Sequence, residues 1–257
     1  MTAKLQIETF PNEAAADYIR GKAVADPENF GKLPDQLKQR AFAVAGIEQL
    51  DAVRKIREAV AKLPEGASWD EAKKEIAEVM STYTGVDKKA ARARAEHTLR
   101  MQGFQAYAVA RHQQQMATVR SHPYWMYETV GDNRVRAGHA ALDGKVLRAD
   151  DPWWKTHYPP WDWGCRCVVI ALDEEDAQEF GISKSGEMPM PERSDSYSFD
   201  PSYAGITLAQ VRRSFEGDKQ GWEAFVEKCR QSKIVLEDGT ETTMWDYMES
   251  EDARERA

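Results

Sequence analysis

From Ala14 to Met116 the apolar residues recur at three- and four-residue spacing, broken by Pro, Gly and Asn, and this pattern predicts helices. Pro11-Asn12-Glu13 opens a run from Ala14 to Ile19 that stops near Gly21. A second run opens at Pro34-Asp35 and carries Leu37, Phe42, Val44 and Ala45. Ile47, Leu50, Val53, Ile56 and Val60 continue at helical spacing until Pro64-Glu65-Gly66. Ser68, with Glu71 three residues on, matches a capping box for a helix reaching about Met80. Asp87 begins a long helical segment that ends near His122-Pro123, with Leu99, Phe104, Tyr107, Ala108 and Met116 on its apolar side. Gly103 inside it costs about 1 kcal/mol relative to alanine and marks a place for a bend.

After Pro123 the period shortens. Tyr124 to Val130 is aromatic and β-branched, which predicts a strand. Gly131-Asp132-Asn133 is a turn signal, with Arg134-Val135-Arg136 as a returning strand. His139 to Leu142 reads as a short helical turn and Gly144 to Leu147 as another short strand. Residues 150–164 form a loop rich in Pro and Trp, and Arg166 to Leu172 is the clearest strand of the chain. Alternation along it puts Cys165, Cys167 and Val169 on one face and Arg166, Val168 and Ile170 on the other. Asp173 to Phe180 reads as a short helix and residues 184–202 as an exposed connection. Helices are predicted for Leu208–Phe215, Gln220–Arg230 and Met244 onwards. The fold class expected is α+β. Residues 8–122 would be a helical N-terminal region, 123–182 a small β-containing domain, and 183–257 a linker with a short helical acidic tail.

Charge sharpens this division. The formal net charge of −8 argues against whole-surface nucleic-acid binding. It is unevenly spread. Residues 87–120 hold seven Lys/Arg against two acids, and residues 171–257 hold ten against twenty-one. At 257 residues the chain can bury a sizeable core in one or two domains. Three cysteines, two of them as Cys-x-Cys, are no disulfide framework, so a reducing compartment is expected. The N-terminal residues hold no apolar run of signal-peptide length, and no stretch approaches the roughly 18 apolar residues of a membrane helix.

The chemistry concentrates between Tyr124 and Ile170. Two of three cysteines, two of five histidines and five of eight tryptophans lie there. Thiolates and imidazoles are the preferred ligands of zinc, which takes four of them in structural sites. Cys165, Cys167 and His139 are three candidates and His157 the fourth, with His122, Asp143, Asp150 or Asp151 as substitutes. The alternative is that both cysteines are small buried hydrophobes while His139 hydrogen-bonds the loop. A catalytic reading uses His139 with Arg134, Arg136 and Asp143 as an acid/base with a phosphate clamp, or His139 with either cysteine as a nucleophile pair. Arg166 on its strand is expected to bridge Asp143 or Asp151. Trp153, Trp154, Trp161 and Trp163 either cover the long loop or stack on a partner's bases, and the first reading is preferred. The basic helix of residues 88–120 is a candidate face for nucleic acid or an acidic partner, and a charged stripe is as often a solvated helix face.

The order of these elements resembles a known family. It runs Arg134-x-Arg136-x-x-His139-x-x-Leu142-Asp143-Gly144, then Asp150-Asp151-Pro152-Trp153, then Pro159-Pro160, then Cys165-Arg166-Cys167. With the earlier phrases Phe10-Pro11-Asn12-Glu13-Ala14-Ala15, Lys22 and Arg40 to Gly46, it is similar to the phage Mu protein F-like minor head proteins of tailed phages. The resemblance covers residues 8–182. It departs after the double proline, where Trp161-Asp162-Trp163-Gly164 stands in place of the Asn and Gly frequent in the family. The resemblance implies a structural protein of head morphogenesis rather than an enzyme, although some relatives carry toxin or enzyme domains. It implies the portal protein and other head proteins as partners, contact with packaged DNA, and no membrane. Its place would be the host cytoplasm during assembly and then the virion, in the capsid interior or at the portal vertex.

Overall fold

The computed structural model describes residues 12–194, 197 and 199–255. Residues 8–11 of the expected helical region, including Phe10 and Pro11, lie outside them. The chain is mixed α+β and divides into two compact units, 12–106 with 205–255, and 107–204. Composition changes near 122 and 182, whereas compactness divides the chain at 106/107 and 204/205.

The N-terminal helices form where local signals place them. Helix α1 (Glu13–Arg20) starts because the Asn12 side chain accepts the Ala15 N–H at 3.0 Å, and it buries Ala15, Ala16 and Ile19. Strand β1 (Ala23–Val24) follows, then helix α2 (Pro27–Lys32), capped by Asp26. The run from Pro34 does not continue as one helix. A 3₁₀ turn (Asp35–Arg40) gives way to strand β2 (Ala41–Phe42), which lies parallel to β1 with Val24 opposite Phe42. Extension there buries Ala41 and Phe42 together, and that burial overrides the helical spacing. Helix α3 (Leu50–Ala61) starts three residues beyond the buried Ile47. Helix α4 (Trp69–Thr84) has the expected Ser68/Glu71 capping box and runs past Met80. Helix α5 (Lys88–Ala117) starts where the Asp87 carboxylate accepts the Lys89 and Ala90 N–H groups. A β-carbon on Gly103 would stand 3.2 Å from Leu63 Cδ2, so the missing side chain lets Leu63 pack directly on the helix backbone.

The second unit is built on strand β3 (Tyr124–Glu128). The Arg134-to-Arg136 segment is no strand. Asp132 accepts the Arg134 and Val135 N–H groups, which closes a turn that leads into helix α6 (Ala137–Ala140). The returning strand is β4 (Val146–Arg148). Helix α7 (Trp154–His157) gives the Trp-rich loop a short turn, and β5 (Val168–Leu172) completes an antiparallel sheet of order β4-β3-β5. Helix α8 (Glu174–Phe180) is capped by Asp173. It packs Ala177 with Tyr124 and Met126 on one face of β3, which leaves Trp125 and Tyr127 on the other. The connection expected to be exposed buries Met188, Tyr197 and Phe199.

The chain then returns to the first unit. Helices α9 (Leu208–Ser214) and α10 (Lys219–Gln231), strands β6 (Lys233–Val235) and β7 (Glu241–Thr243), and helix α11 (Met244–Glu255) form the C-terminal part. The tail is therefore not helical alone. Strand β6 pairs with β1, Val24 opposite Val235, in a sheet of order β2-β1-β6-β7. Arg40 Nη2 meets Glu251 at 2.7 Å, and Arg40 Nη1 donates to the Ile206 carbonyl at 3.1 Å. No helix among the described residues is long and apolar enough to cross a membrane.

Two measurements test this packing. Ile234 is 1% exposed, so Ile234→Ala is expected to lower stability by about 2–5 kcal/mol in urea unfolding. A tail merely appended to the fold would show no loss. Lys22 is buried, with Nζ 3.1 Å from Gln102 Oε1 and 4.6 Å from the Tyr18 ring centroid. Burial pushes its pKa down to about 7. The unfolded chain thus holds this proton between about pH 7 and 10 while the fold does not, and the stability contributed rises with pH across that window. Lys22→Met is expected to melt higher than the native chain below pH 7, with the gap closing towards pH 10. A gap independent of pH would refute the buried-amine account.

Candidate metal centre

Three elements bring the candidate ligands together. The turn at 132–136 and α6 place His139, β3 supplies Tyr127, and the approach to β5 supplies the two cysteines. Gly144 closes the α6–β4 turn at φ 70°, a region that favours glycine, and its N–H donates to the Tyr127 carbonyl at 2.8 Å. The predicted alternation holds: Cys165, Cys167 and Val169 are buried, while Arg166, Val168 and Ile170 are partly exposed.

His139 Nδ1 lies 3.5 Å from Cys167 Sγ, 3.6 Å from Cys165 Sγ and 3.3 Å from the Tyr127 hydroxyl. The three ligand atoms of His139, Cys165 and Cys167 all lie within 4.8 Å of one another, and all three residues are buried. The imidazole stacks on Trp161, 4.0 Å between centroids and 12° apart, and Trp161 Nε1–H donates to the Tyr127 hydroxyl at 2.8 Å. On the other side Arg136 Nη2–H donates to His139 Nε2 at 2.8 Å. Arg136 also donates to the Trp163 carbonyl at 2.9 Å and pairs with Asp162 at 3.3 Å. A neutral ring that accepts at Nε2 carries its proton on Nδ1, facing the sulfurs.

The two thiols titrate as a pair. The Cys165 thiol, then His139 and Tyr127, hold Cys167 below the ordinary thiol range against the opposing effect of burial. Cys165 is pushed up, first by Cys167 and then by burial. Burial and the neighbouring thiols raise the Tyr127 phenol well above its usual value. A cavity of about 130 Å³ adjoins the cluster, lined by His139, Cys165, Cys167 and by Arg134, Arg136 and Arg166.

Other candidates stand elsewhere. His157 lies outside the three-residue cluster, stacked on Trp153 at 4.5 Å with Nδ1 2.7 Å from the Thr156 hydroxyl. His122 sits past α5 beside Ser121. Asp143 accepts the Thr129 N–H, Asp150 pairs with Arg148, and Asp151 accepts from Trp153 N–H and Ser185. Arg166 bridges neither Asp143 nor Asp151. It makes a bidentate pair with Asp132, at 2.7 and 2.6 Å, because the 132–136 turn brings that carboxylate to the strand. Asp132 also takes Arg134 at 3.5 Å. The guanidiniums expected to clamp a phosphate are thus each beside a carboxylate. Trp153, Trp154, Trp161, Pro159 and Pro160 are buried, with the Pro159–Pro160 peptide cis, while Trp163 is exposed. Sequence reasoning missed Tyr127, Asp132 and Asp162 as site residues. Tyr127 alternates with Trp125 on the predicted strand, and that was the available signal.

Comparison with known proteins agrees with this arrangement of motifs. The family model described as Phage Mu protein F like protein matches residues 53–170. The Mu-like prophage FluMu F protein of Haemophilus influenzae is 54% identical over 97 residues, 37% of this chain and 23% of that one. The putative capsid assembly protein F of Escherichia phage Mu is 32% identical over 190 residues, 68% of this chain and 43% of that one. The chain therefore spans less than half the length of either relative. No solved structure matches. Residues 53–170, which carry His139, Cys165 and Cys167, are thus a Phage Mu protein F like segment of that family.

Proposed function

We propose that this chain acts in capsid assembly of a tailed phage or prophage, as a minor head protein that works by contact rather than by catalysis. The observation that carries the reading is the 190-residue similarity to a protein named a capsid assembly protein, which extends well beyond the family segment. Its partners are other head proteins, and we place it at the portal vertex, in the host cytoplasm during assembly and in the virion afterwards. The site supports a structural role. Its arginines sit beside carboxylates, and three of the four loop tryptophans are spent inside the fold rather than offered to a ligand. On α5, Ala91, Ala95 and Leu99 are buried, while Lys88, Lys89 and Arg92 face solvent. That small basic face suits packaged DNA or an acidic head surface, and three phosphate contacts give only a modest salt dependence.

Sedimentation of lysates from cells producing the encoding phage tests this. The chain is expected to travel with head-related particles, and deletion of its gene is expected to reduce the yield of DNA-filled heads. A chain that stays at the top of the gradient in a lysate full of normal heads overturns the reading.

A further inference from the structure

We propose that His139 Nδ1, Cys165 Sγ and Cys167 Sγ are three ligands of a bound zinc ion, whose fourth position opens into the adjoining cavity. The inference rests on geometry and stands apart from the head-assembly reading.

Convergence carries it. Both sulfurs and a phenol point at a single imidazole nitrogen, at 3.5, 3.6 and 3.3 Å. That nitrogen has one proton or one lone pair, so it serves one sulfur at a time, while the two thiols and the phenol engage one another. An ion between them satisfies all three at once. Bond lengths of about 2.3 Å to sulfur and about 2.0–2.1 Å to nitrogen, at a tetrahedral angle, put the N···S edge at about 3.6 Å. The two edges here are 3.5 and 3.6 Å. Two thiolates and an imidazole are a soft donor set that suits zinc over magnesium or calcium.

Three protein ligands leave one position. The Asp143, Asp150 and Asp151 carboxylates are engaged elsewhere, and His157 is outside the cluster. All three ligands line the same cavity of about 130 Å³, which has room for a water as the fourth. Binding at Nδ1 moves the ring proton to Nε2, where it faces the Arg136 donor. Arg136 must then leave Nε2, and its bonds to the Trp163 carbonyl and Asp162 give it a place to rest. Arg136 is a positioning residue that opposes metal loading.

The test is elemental analysis of the full chain purified without chelator, with zinc affinity read by chelator competition. About one zinc per chain is expected. Cys165→Ser, Cys167→Ser and His139→Ala are each expected to weaken binding by about 100-fold or more, since even outer-shell losses cost roughly 10–100-fold. His157→Ala is expected to retain the metal. Arg136→Gln, whose amide oxygen can accept from Nε2–H, is expected to bind zinc at least as tightly as the native chain. Where a ligand variant fails to fold, cobalt substitution in the native chain replaces it. A tetrahedral spectrum with thiolate-to-cobalt charge transfer supports the site. A native chain that neither retains zinc nor takes up cobalt overturns it. Zinc lost on His157→Ala, or weakened on Arg136→Gln, overturns the ligand set and its open position.

Discussion

A buried imidazole with both ring nitrogens engaged is the constraint around which the second unit is arranged. His139 cannot turn to water, so each polar atom beside it needs a fixed partner. Arg136 meets one nitrogen, the sulfurs and Tyr127 meet the other, and Trp161 covers the ring face. These contacts tie the loop at 150–164 to the sheet. Trp161 binds the Tyr127 hydroxyl, and the Trp163 carbonyl is held by Arg136. Further back, the Trp154 indole donates to the Arg148 carbonyl, and Trp153 stacks on His157. A three-stranded sheet this small would bury little apolar area alone, and the aromatic loop supplies a second layer on its Trp125/Tyr127 face.

The first unit solves a different problem. Its helices α1 and α4 are amphipathic and capped by side chains, yet its sheet draws strands from both ends of the described chain. Two- and three-residue strands are weak on their own, and they persist here because helices and the Arg40–Glu251 pair close around them. The acidic C-terminal segment, which composition alone presents as a solvated tail, therefore contributes core residues such as Ile234, Met244 and Met248.

What the sequence discloses follows from the range of the forces involved. Asn12, Ser68/Glu71 and Asp173 act within three residues, so the starts of α1, α4 and α8 were legible. The alternation through Cys165 to Ile170 was legible for the same reason, and with it the meeting of both thiols on one face. The strands at 41–42 and 233–235 were not, because two or three residues carry no period and Val24 finds Val235 only in the folded chain. The partner of Arg166 was misread on similar grounds. Five aspartates lie between residues 132 and 162, and only the shape of the 132–136 turn selects Asp132.

The pairing of Val24 with Val235 also fixes an order of events on the ribosome. Strand β1 emerges with β2 close behind it, but its other edge stays open until β6 has been made. Residues 107–204, contiguous in sequence, are free to close in the meantime. The nascent chain thus carries an unpaired, apolar strand edge until residues 233–235 have been made, the state in which edge-to-edge association is most favoured. The brevity of β1, two residues long, keeps that exposed template small.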